Sequence, residues 1–513
     1  MNELPPTLQP SASGQTRPLS STKAALLALG AVAAFQLAFT FAALCWLVLA
    51  YLGCLFALRQ VATARQAFYI GMAVGLGVFV PQMAFLWVIF GAAAIPLWVI
   101  LALFHGLFLL LLNRVEVRLG TKWSVWFAPV LWCGIEYFRS EVWWLRFAWF
   151  TAGSVLPHWT GTLLGIFGVY GVSFVHFAFV AWWKIKPRRV ELLILMTVAL
   201  VGMSILLPML ASSRASRSTL SVAGIQLEFP GPPEVLVALD RLARRHPEAE
   251  LLMLSEYTFD GPVPDSVKAW CQRNRKWLVA GGKELVAVRS SRRKAAPNNS
   301  SPQSNSRPKP SLSLLTSAAT EGPYYNTAFV ISTNGEVVFT QAKSVPIQFF
   351  KDGEPALTQR VWDSPWGKLG IAICYDVSYR RVMDELIRQG AQALLIPTMD
   401  VEQWGEHQHR LNARMARLRA AEYGVPIFRV ASSGISQVIR ADGSEAATAP
   451  FPGPNEMIAG ELRLRRGGGN LPLDRWLAPA CTFVTALVML WLGWLAWRGR
   501  PRTLARTTYD HRA

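Results

Sequence analysis

The sequence predicts a polytopic α-helical membrane domain of about eight spans joined to one extracytoplasmic α/β domain. Three observations predict it. The first is an apolar excess that one soluble core does not explain: 52% of the 513 residues are hydrophobic, 21 of them Trp, and mean hydropathy is +0.28. The second is the distribution of that excess. Apolar stretches run Ala24 to Leu58, Ala67 to Phe90, Ala92 to Leu112, Ser124 to Phe138, Gly161 to Trp183, Val190 to Leu210 and Trp476 to Trp497, while 211–475 is a single polar block large enough for its own core. The third is the placing of the cations, which fixes the side on which that block lies.

Taken in order, residues 1–23 form a cytoplasmic tail. Met1 to Ser21 is rich in Pro and Ser and lacks the basic start and short apolar core of a cleaved signal, so the first apolar stretch is expected to stay as an anchor. That stretch reads as two helices turning near Phe41 and Ala42. As a hairpin it places Arg59/Arg65, Arg114/Arg118/Lys122, Lys184/Lys186/Arg188/Arg189 and Arg498/Arg500/Arg502 all on the inner side, whereas as one span it puts the first three clusters outside. Residues 24–210 then hold about seven helices, 211–475 face outward, 476–497 form the last span and 498–513 a cytoplasmic tail. Much of the net charge of +19 lies in these loops, where it sets topology and meets anionic lipid, so membrane lipids rather than nucleic acid are the expected partners.

Within 211–475, short apolar strands alternate with helical stretches, the pattern of a layered α/β fold. Strand Leu220 to Gln226 precedes the amphipathic helix Pro233 to Arg245. Strand Leu251 to Leu254 ends at Ser255-Glu256. Helix Val267 to Lys276 precedes strand Trp277 to Ala280 and a turn at Gly281-Gly282. Residues 289–317 are Ser, Pro, Asn, Arg and Lys, too polar and proline-broken to pack, and are expected to be a disordered insertion. A hairpin joins Asn326 to Ile331 and Glu336 to Thr340 through Asn334-Gly335, and Lys343 follows it. Strand Leu369 to Ile373 delivers Cys374; helix Arg380 to Gln389, strand Ala393 to Ile396, helix Leu411 to Tyr423, strand Pro426 to Val430 and a hairpin from Ser436 to Ile439 turning at Asp442-Gly443 complete the layer.

Glu256, Lys343 and Cys374 each stand just after a strand, and strand ends on one edge of such a sheet are where ligands gather. Their types complement one another. A thiol attacking a carbonyl needs a base for its proton, and the resulting oxyanion needs a positive charge or donor. Taken singly, a buried structural Cys, a capping Glu and a solvated Lys are the ordinary readings. A strand-end Cys before a helix-like stretch gains a thiolate favoured by the helix dipole. Six cysteines show no spaced framework, so a Cys271–Cys374 disulfide is not expected. His407 and His409, two apart and without a third ligand, read as solvated rather than metal-binding. Glu136, Arg139 and Glu141 lie near a span end and are explained by the interface, which leaves little for a transporter.

Leu254-Ser255-Glu256-Tyr257, Lys343-Ser344-Val345-Pro346 and Ile371-Ala372-Ile373-Cys374-Tyr375-Asp376 resemble the Glu, Lys and Cys motifs of the nitrilase superfamily. Set between membrane spans, such a domain is similar to the bacterial apolipoprotein N-acyltransferases. Further likenesses are Trp144 to Gly153 (WLRFAWFTAG), Gly165 to Phe174, Tyr324 to Ala328, Arg414 to Glu422 and Phe428 to Ser436. The resemblance implies an αββα sandwich on the periplasmic side of a bacterial inner membrane, in a monomer without metal or organic cofactor. It also implies that Cys374 takes an acyl group from a phospholipid donor as a thioester and passes it to a diacylated apolipoprotein acceptor, with Glu256 as base and Lys343 at the oxyanion. Where the family has a further active-site glutamate, Glu354 is the expected counterpart and Asp352 its rival. The family's Cys-Tyr-Glu has become Cys374-Tyr375-Asp376, and its Asn-Asp-x-Trp is altered across Thr398 to Trp404. The family's tryptophan after the first strand is missing from Glu228 to Val235. A membrane-anchored amidase or thioesterase, or a non-catalytic scaffold, are the competing readings.

Overall fold

A computed structural model describes residues 18–155, 161–183, 218–286 and 322–498. The span expected at Val190 to Leu210 and the insertion expected at 289–317 lie outside the described residues. The chain opens with α1 (Ser21–Thr40) and α2 (Leu47–Leu58). Between them Phe41 adopts an extended backbone that ends α1, and a short 3-10 turn follows. The two helices run back on each other, so that Leu19 N donates to Gln60 O at 3.0 Å. Next come α3 (Ala64–Gln82), α4 (Phe85–Phe90), α5 (Ala94–Leu119), α6 (Thr121–Tyr137) and α7 (Gly161–Trp183). Thr63 caps α3 by accepting from Gln66 N at 3.1 Å, and a π turn over Phe138–Val142 closes α6.

Among the described residues five segments are long and apolar enough to cross a membrane: Ser21–Thr40, Ala64–Gln82, Phe85–Leu119, Gly161–Trp183 and Asp474–Arg498. Of the other expected spans, α2 has 12 residues and α6 has 17.

Small residues set a close contact between α3 and α5. A Cβ on Gly71 would lie 2.5 Å from His105 O, and one on Gly75 would lie 2.7 Å from Ala102 Cα. Backbones of α3 and α5 can touch only because those side chains are absent. Gly71→Val is therefore expected to force the helices apart and cost about 1–3 kcal/mol, read as a lower unfolding midpoint in detergent. Gly30→Ala, whose Cβ would meet Cys54 Sγ at an ordinary 3.6 Å, serves as the tolerant control.

The polar block folds into two six-stranded sheets, ordered β12-β1-β2-β3-β4-β5 and β11-β10-β9-β8-β7-β6. The first contains β1 (Thr219–Ile225), β2 (Leu251–Met253), β3 (Trp277–Leu285), β4 (Tyr324–Ile331), β5 (Val337–Ala342) and β12 (Met457–Arg463). The second contains β6 (Val361–Ser364), β7 (Gly367–Ile371), β8 (Ala393–Thr398), β9 (Ile427–Ala431), β10 (Ser436–Ile439) and β11 (Glu445–Ala449). In each sheet three central strands are parallel, β1-β2-β3 and β7-β8-β9. Leu220, Val222, Met253 and Val279 pack against Ile371, Leu395, Phe428 and Val430 between the sheets. The alternate residues Ala223, Ile225 and Leu278 face outward onto α8 (Pro232–Arg245) and α9 (Asp265–Asn274), meeting Val235, Leu239 and Trp270. Both faces of the strands are covered, which is why they read as continuous apolar runs.

The second sheet carries α10 (Arg380–Arg388) and α11 (Glu406–Tyr423) on its outer face, and this helical layer meets the membrane helices. The final helix α12 (Asp474–Arg498) leaves the sandwich and returns beside α6. At the junction Arg475 donates to Asp384 at 2.6 Å, Glu422 at 3.0 Å and the Tyr423 hydroxyl at 2.6 Å. Glu422 also accepts from Val169 N at 3.3 Å and pairs with Arg419. Asp474 accepts from Tyr170 N at 3.1 Å, beside the kink that Gly168 makes at φ 71°.

Three local expectations need correction. β3 continues through Gly281-Gly282 to Leu285, because β4 pairs with it as far as Tyr324. β6 and β12 were not foreseen, and β12 closes the first sheet by pairing antiparallel with β1. Helix α11 starts at Glu406, several residues earlier than the apolar pattern suggested.

Candidate active site

Four strand ends meet at one edge of the sandwich. β2 delivers Glu256, β5 delivers Lys343, β7 delivers Cys374 and β8 delivers Met399, so the three residues singled out in the sequence stand within one buried cluster. Gly281 makes room for this convergence, since a Cβ there would lie 2.6 Å from Glu256 Cα.

Glu256 accepts from Lys343 Nζ at 2.8 Å, Asn326 Nδ2 at 2.6 Å and Met399 N at 2.7 Å. Met399 also links it to the thiol, because its carbonyl accepts from Cys374 Sγ at 3.6 Å. Cys374 sits at φ 47°, a left-handed backbone that costs a non-glycine residue free energy and that strand-to-turn nucleophiles adopt to present their side chain. The turn it opens is a five-residue 3-10 segment, Cys374–Ser378, rather than the helix expected there.

The electrostatics follow from burial. Cys374 is pushed well above the usual thiol range by desolvation and then by the Glu256 carboxylate, with Lys343 pulling the other way. This corrects the expectation of a thiolate favoured by a helix dipole: at rest the sulfur keeps its proton. Burial likewise raises Glu256 above the ordinary carboxylate value, opposed by Lys343 and reinforced by Asp352. For Lys343 burial alone would lower the ammonium, but Asp352 and Glu256 outweigh it and hold it charged.

Asp352, not Glu354, is the second carboxylate of the cluster. Its Oδ2 lies 2.7 Å from Lys343 Nζ, and its Oδ1 accepts from Asn326 at 2.9 Å and Tyr257 at 2.9 Å. Glu354 is exposed and enters only through its backbone N–H, which donates to Tyr324 O at 2.7 Å. The two-residue offset puts the short Asp on the inward side of the loop. Asp376 ties two segments together, accepting from Val345 N at 2.7 Å and from Ser344 N and Ile373 N at 3.2 Å. It thereby fixes the loop after Lys343 to the turn of Cys374. Burial lifts it to about 6, against Lys343 and those three N–H groups.

Behind Met399 lies a second buried cluster. Asp400 accepts from Arg429 at 2.5 Å and Asn412 at 2.8 Å, and its pKa falls to about 2 because Arg429, then His409 and Asn412, outweigh desolvation. His409 is fully buried, 3.7 Å from Asp400 and 4.4 Å from the Phe451 ring centre, so the reading of it as solvated is corrected. Asn326, Met399 and Arg429 carry these contacts yet drew no role from the sequence. For Asn326 the signal was a lone amide at the start of an otherwise apolar strand.

Cys374 also lines a cleft of about 140 Å³ between the sandwich and the membrane helices. Phe85, Leu86, Phe90 and Leu101 form one wall, and Phe349, Phe350 and Trp404 form another. Trp149 reaches the turn that follows Cys374, donating from Nε1 to Ser378 Oγ at 3.1 Å with its ring 6.3 Å from Tyr375. An apolar cleft that runs from the membrane helices to the Cys374 thiol, with Glu256 and Lys343 buried behind the sulfur, can admit part of an alkyl chain beside a group able to do acyl chemistry.

Comparison with known proteins places these parts. The family model of the apolipoprotein N-acyltransferase N-terminal domain matches residues 27–183, and that of carbon-nitrogen hydrolase matches residues 233–466. Apolipoprotein N-acyltransferase of Pasteurella multocida is 25% identical over 393 residues, covering 68% of this chain and 70% of its own. The protein of that name from Geobacter metallireducens is 24% identical over 471 residues, covering 79% and 82%. Among solved structures, a carbon-nitrogen hydrolase from Helicobacter pylori is 17% identical with a TM-score of 0.38, covering 57% of this chain and 99% of that one. With a nitrilase-like domain and the matching membrane domain in one chain, the protein belongs to the apolipoprotein N-acyltransferases of the nitrilase superfamily.

Proposed function

We propose that the protein moves a fatty acyl chain from a phospholipid, through a thioester on Cys374, to the α-amine of an N-terminal diacylglyceryl-cysteine. Glu256 takes the thiol proton as sulfur attacks the ester carbonyl, and Lys343, held charged by Asp352, faces the oxyanion. Collapse breaks the ester bond, the leaving alkoxide receives the proton from Glu256, and a lysophospholipid departs. The lipoprotein amine then attacks the thioester, Glu256 accepts its proton, the thiol is regenerated and an amide remains. Atoms balance over the two steps without water or cofactor. The cation clusters on one side of the spans support an extracytoplasmic site on the inner membrane. Both substrates have chains in the bilayer and reacting groups at its surface, so an anchored domain reaches both without extracting either.

The observation that carries this reading is the apolar cleft between the membrane helices and Cys374. Intact-mass spectrometry of detergent-solubilised protein after incubation with phospholipid vesicles tests it. The expected result is an added fatty-acyl mass, labile to hydroxylamine, absent in Cys374→Ser and discharged onto a diacylated lipopeptide with a free amine. An adduct that passes only to water would make the protein a hydrolase. No adduct in the wild type would reject the thioester route.

A further inference from the structure

Arg146 is the one charged side chain among the residues lining the cleft that ends at Cys374. The rest of that lining is aliphatic and aromatic apart from Gln348, Gln408 and Asn412. Its Nε is buried without a hydrogen-bond partner. Arg381 stands close enough for the two guanidinium charges to repel, and one of its N–H groups donates to Ser344 O at 3.1 Å. The nearby carboxylate of Glu141 is committed elsewhere, accepting from Tyr170 OH at 3.0 Å and Arg380 N at 3.1 Å. A cation so placed in an apolar wall is costly unless an anion completes it.

The backbone around it is held firmly. Arg146 O accepts from Tyr379 OH at 3.0 Å, Arg139 donates to Trp149 O at 2.9 Å, and Glu136 accepts from Ala152 N at 2.8 Å. The bond from Tyr379 ties the Arg146 backbone to the segment that follows Cys374, and the side chain lines the same cleft as the sulfur. Guanidinium matches phosphate oxygens with two parallel N–H donors, a fit that neutral lipid lacks.

We infer that Arg146 binds the phosphodiester of the acyl donor and so selects a phospholipid over a neutral glycerolipid. The inference rests on the thioester reading above and assigns a residue to its donor step. It also separates the two half-reactions, because the diacylglyceryl-cysteine acceptor has no phosphate for Arg146 to hold. The anion sought is therefore present only when the donor occupies the cleft.

The test compares Cys374 acylation rates on phosphatidylethanolamine and on diacylglycerol of the same chains, both in detergent micelles, for wild type, Arg146→Gln and Arg146→Lys. The wild type should prefer the phospholipid at least tenfold in kcat/KM, mostly through KM. Arg146→Gln should bring that ratio to near one, and Arg146→Lys should restore part of it. Millimolar inorganic phosphate should leave the wild-type ratio unmoved; competition by it would reassign the site to soluble anions and overturn the proposal. A ratio that stays the same in Arg146→Gln, or rates that fall equally on both donors, would overturn it too, while leaving the thioester reading intact. Failure of the wild type to acylate on either lipid would sink both.

Discussion

Lys343→Met is expected to abolish acyl-adduct formation and to destabilise the two-sheet domain together. The ammonium lies between Glu256 at 2.8 Å and Asp352 at 2.7 Å, all three buried. Removing it strands two carboxylates, and breaking a buried pair in this way costs about 3–5 kcal/mol. With its cation gone Glu256 gains further affinity for a proton and is lost as a base, and one oxyanion donor is lost as well, worth about 10²–10³ in rate. Denaturant unfolding in detergent and single-turnover acylation followed by mass spectrometry measure the two effects. The pair Lys343→Met with Asp352→Asn separates them: stability should recover in part and acylation should not. Acylation within about tenfold of wild type in that double variant would reject the assigned role of Lys343.

Arg429→Met is expected to have the second largest effect, on stability first. Arg429 is fully buried, and its contact with Asp400 supplies most of what keeps that carboxylate ionised at about 2 rather than 3.8. Because the folded value is depressed, the stability it contributes is present above pH 4 and is lost as pH falls toward 2. Its size is about 2 kcal/mol, from 1.36 kcal/mol per unit. In Arg429→Met the carboxylate is unpaired, so stability at neutral pH should drop by about 3–5 kcal/mol and the acid-side loss should disappear. Unfolding midpoints between pH 3 and 7 record both. A variant as stable as the parent at pH 7 would contradict the buried pairing.

The parts that were legible in the sequence are those fixed by local pattern. Thr219–Ile225, Ala393–Thr398 and Ile427–Ala431 are apolar runs covered on both faces, and Asn334-Gly335 announces its hairpin. Glu256, Lys343 and Cys374 were visible because reactive side chains follow strands. The parts that were not legible depend on distant partners. Met457–Arg463 becomes a strand only because β1 offers it an edge, and Gly281-Gly282 lies within a strand because a neighbouring peptide passes too close for a side chain. The choice between Asp352 and Glu354 turned on which way the loop coils after Pro346, which spacing does not encode. His409 read as solvated and Arg429 drew no role, since burial of the Arg429 charge is decided by a partner 29 positions away in the chain.

The junction built around Arg475 bears on how the enzyme works with lipid. Arg475 pairs across the junction with Asp384 and Glu422, which also have partners within the sandwich, Arg380 and Arg419. Arg419 also donates to Val377 O at 3.0 Å and Ser378 O at 2.7 Å, so the same knot grips the turn that Cys374 opens. A fragment cut before Asp474 would leave Asp384 and Glu422 without Arg475, the partner they share. The bonds around Arg475 and Arg419 thus couple the last helix to the turn of Cys374, so a change in how that helix packs is felt three residues from the sulfur.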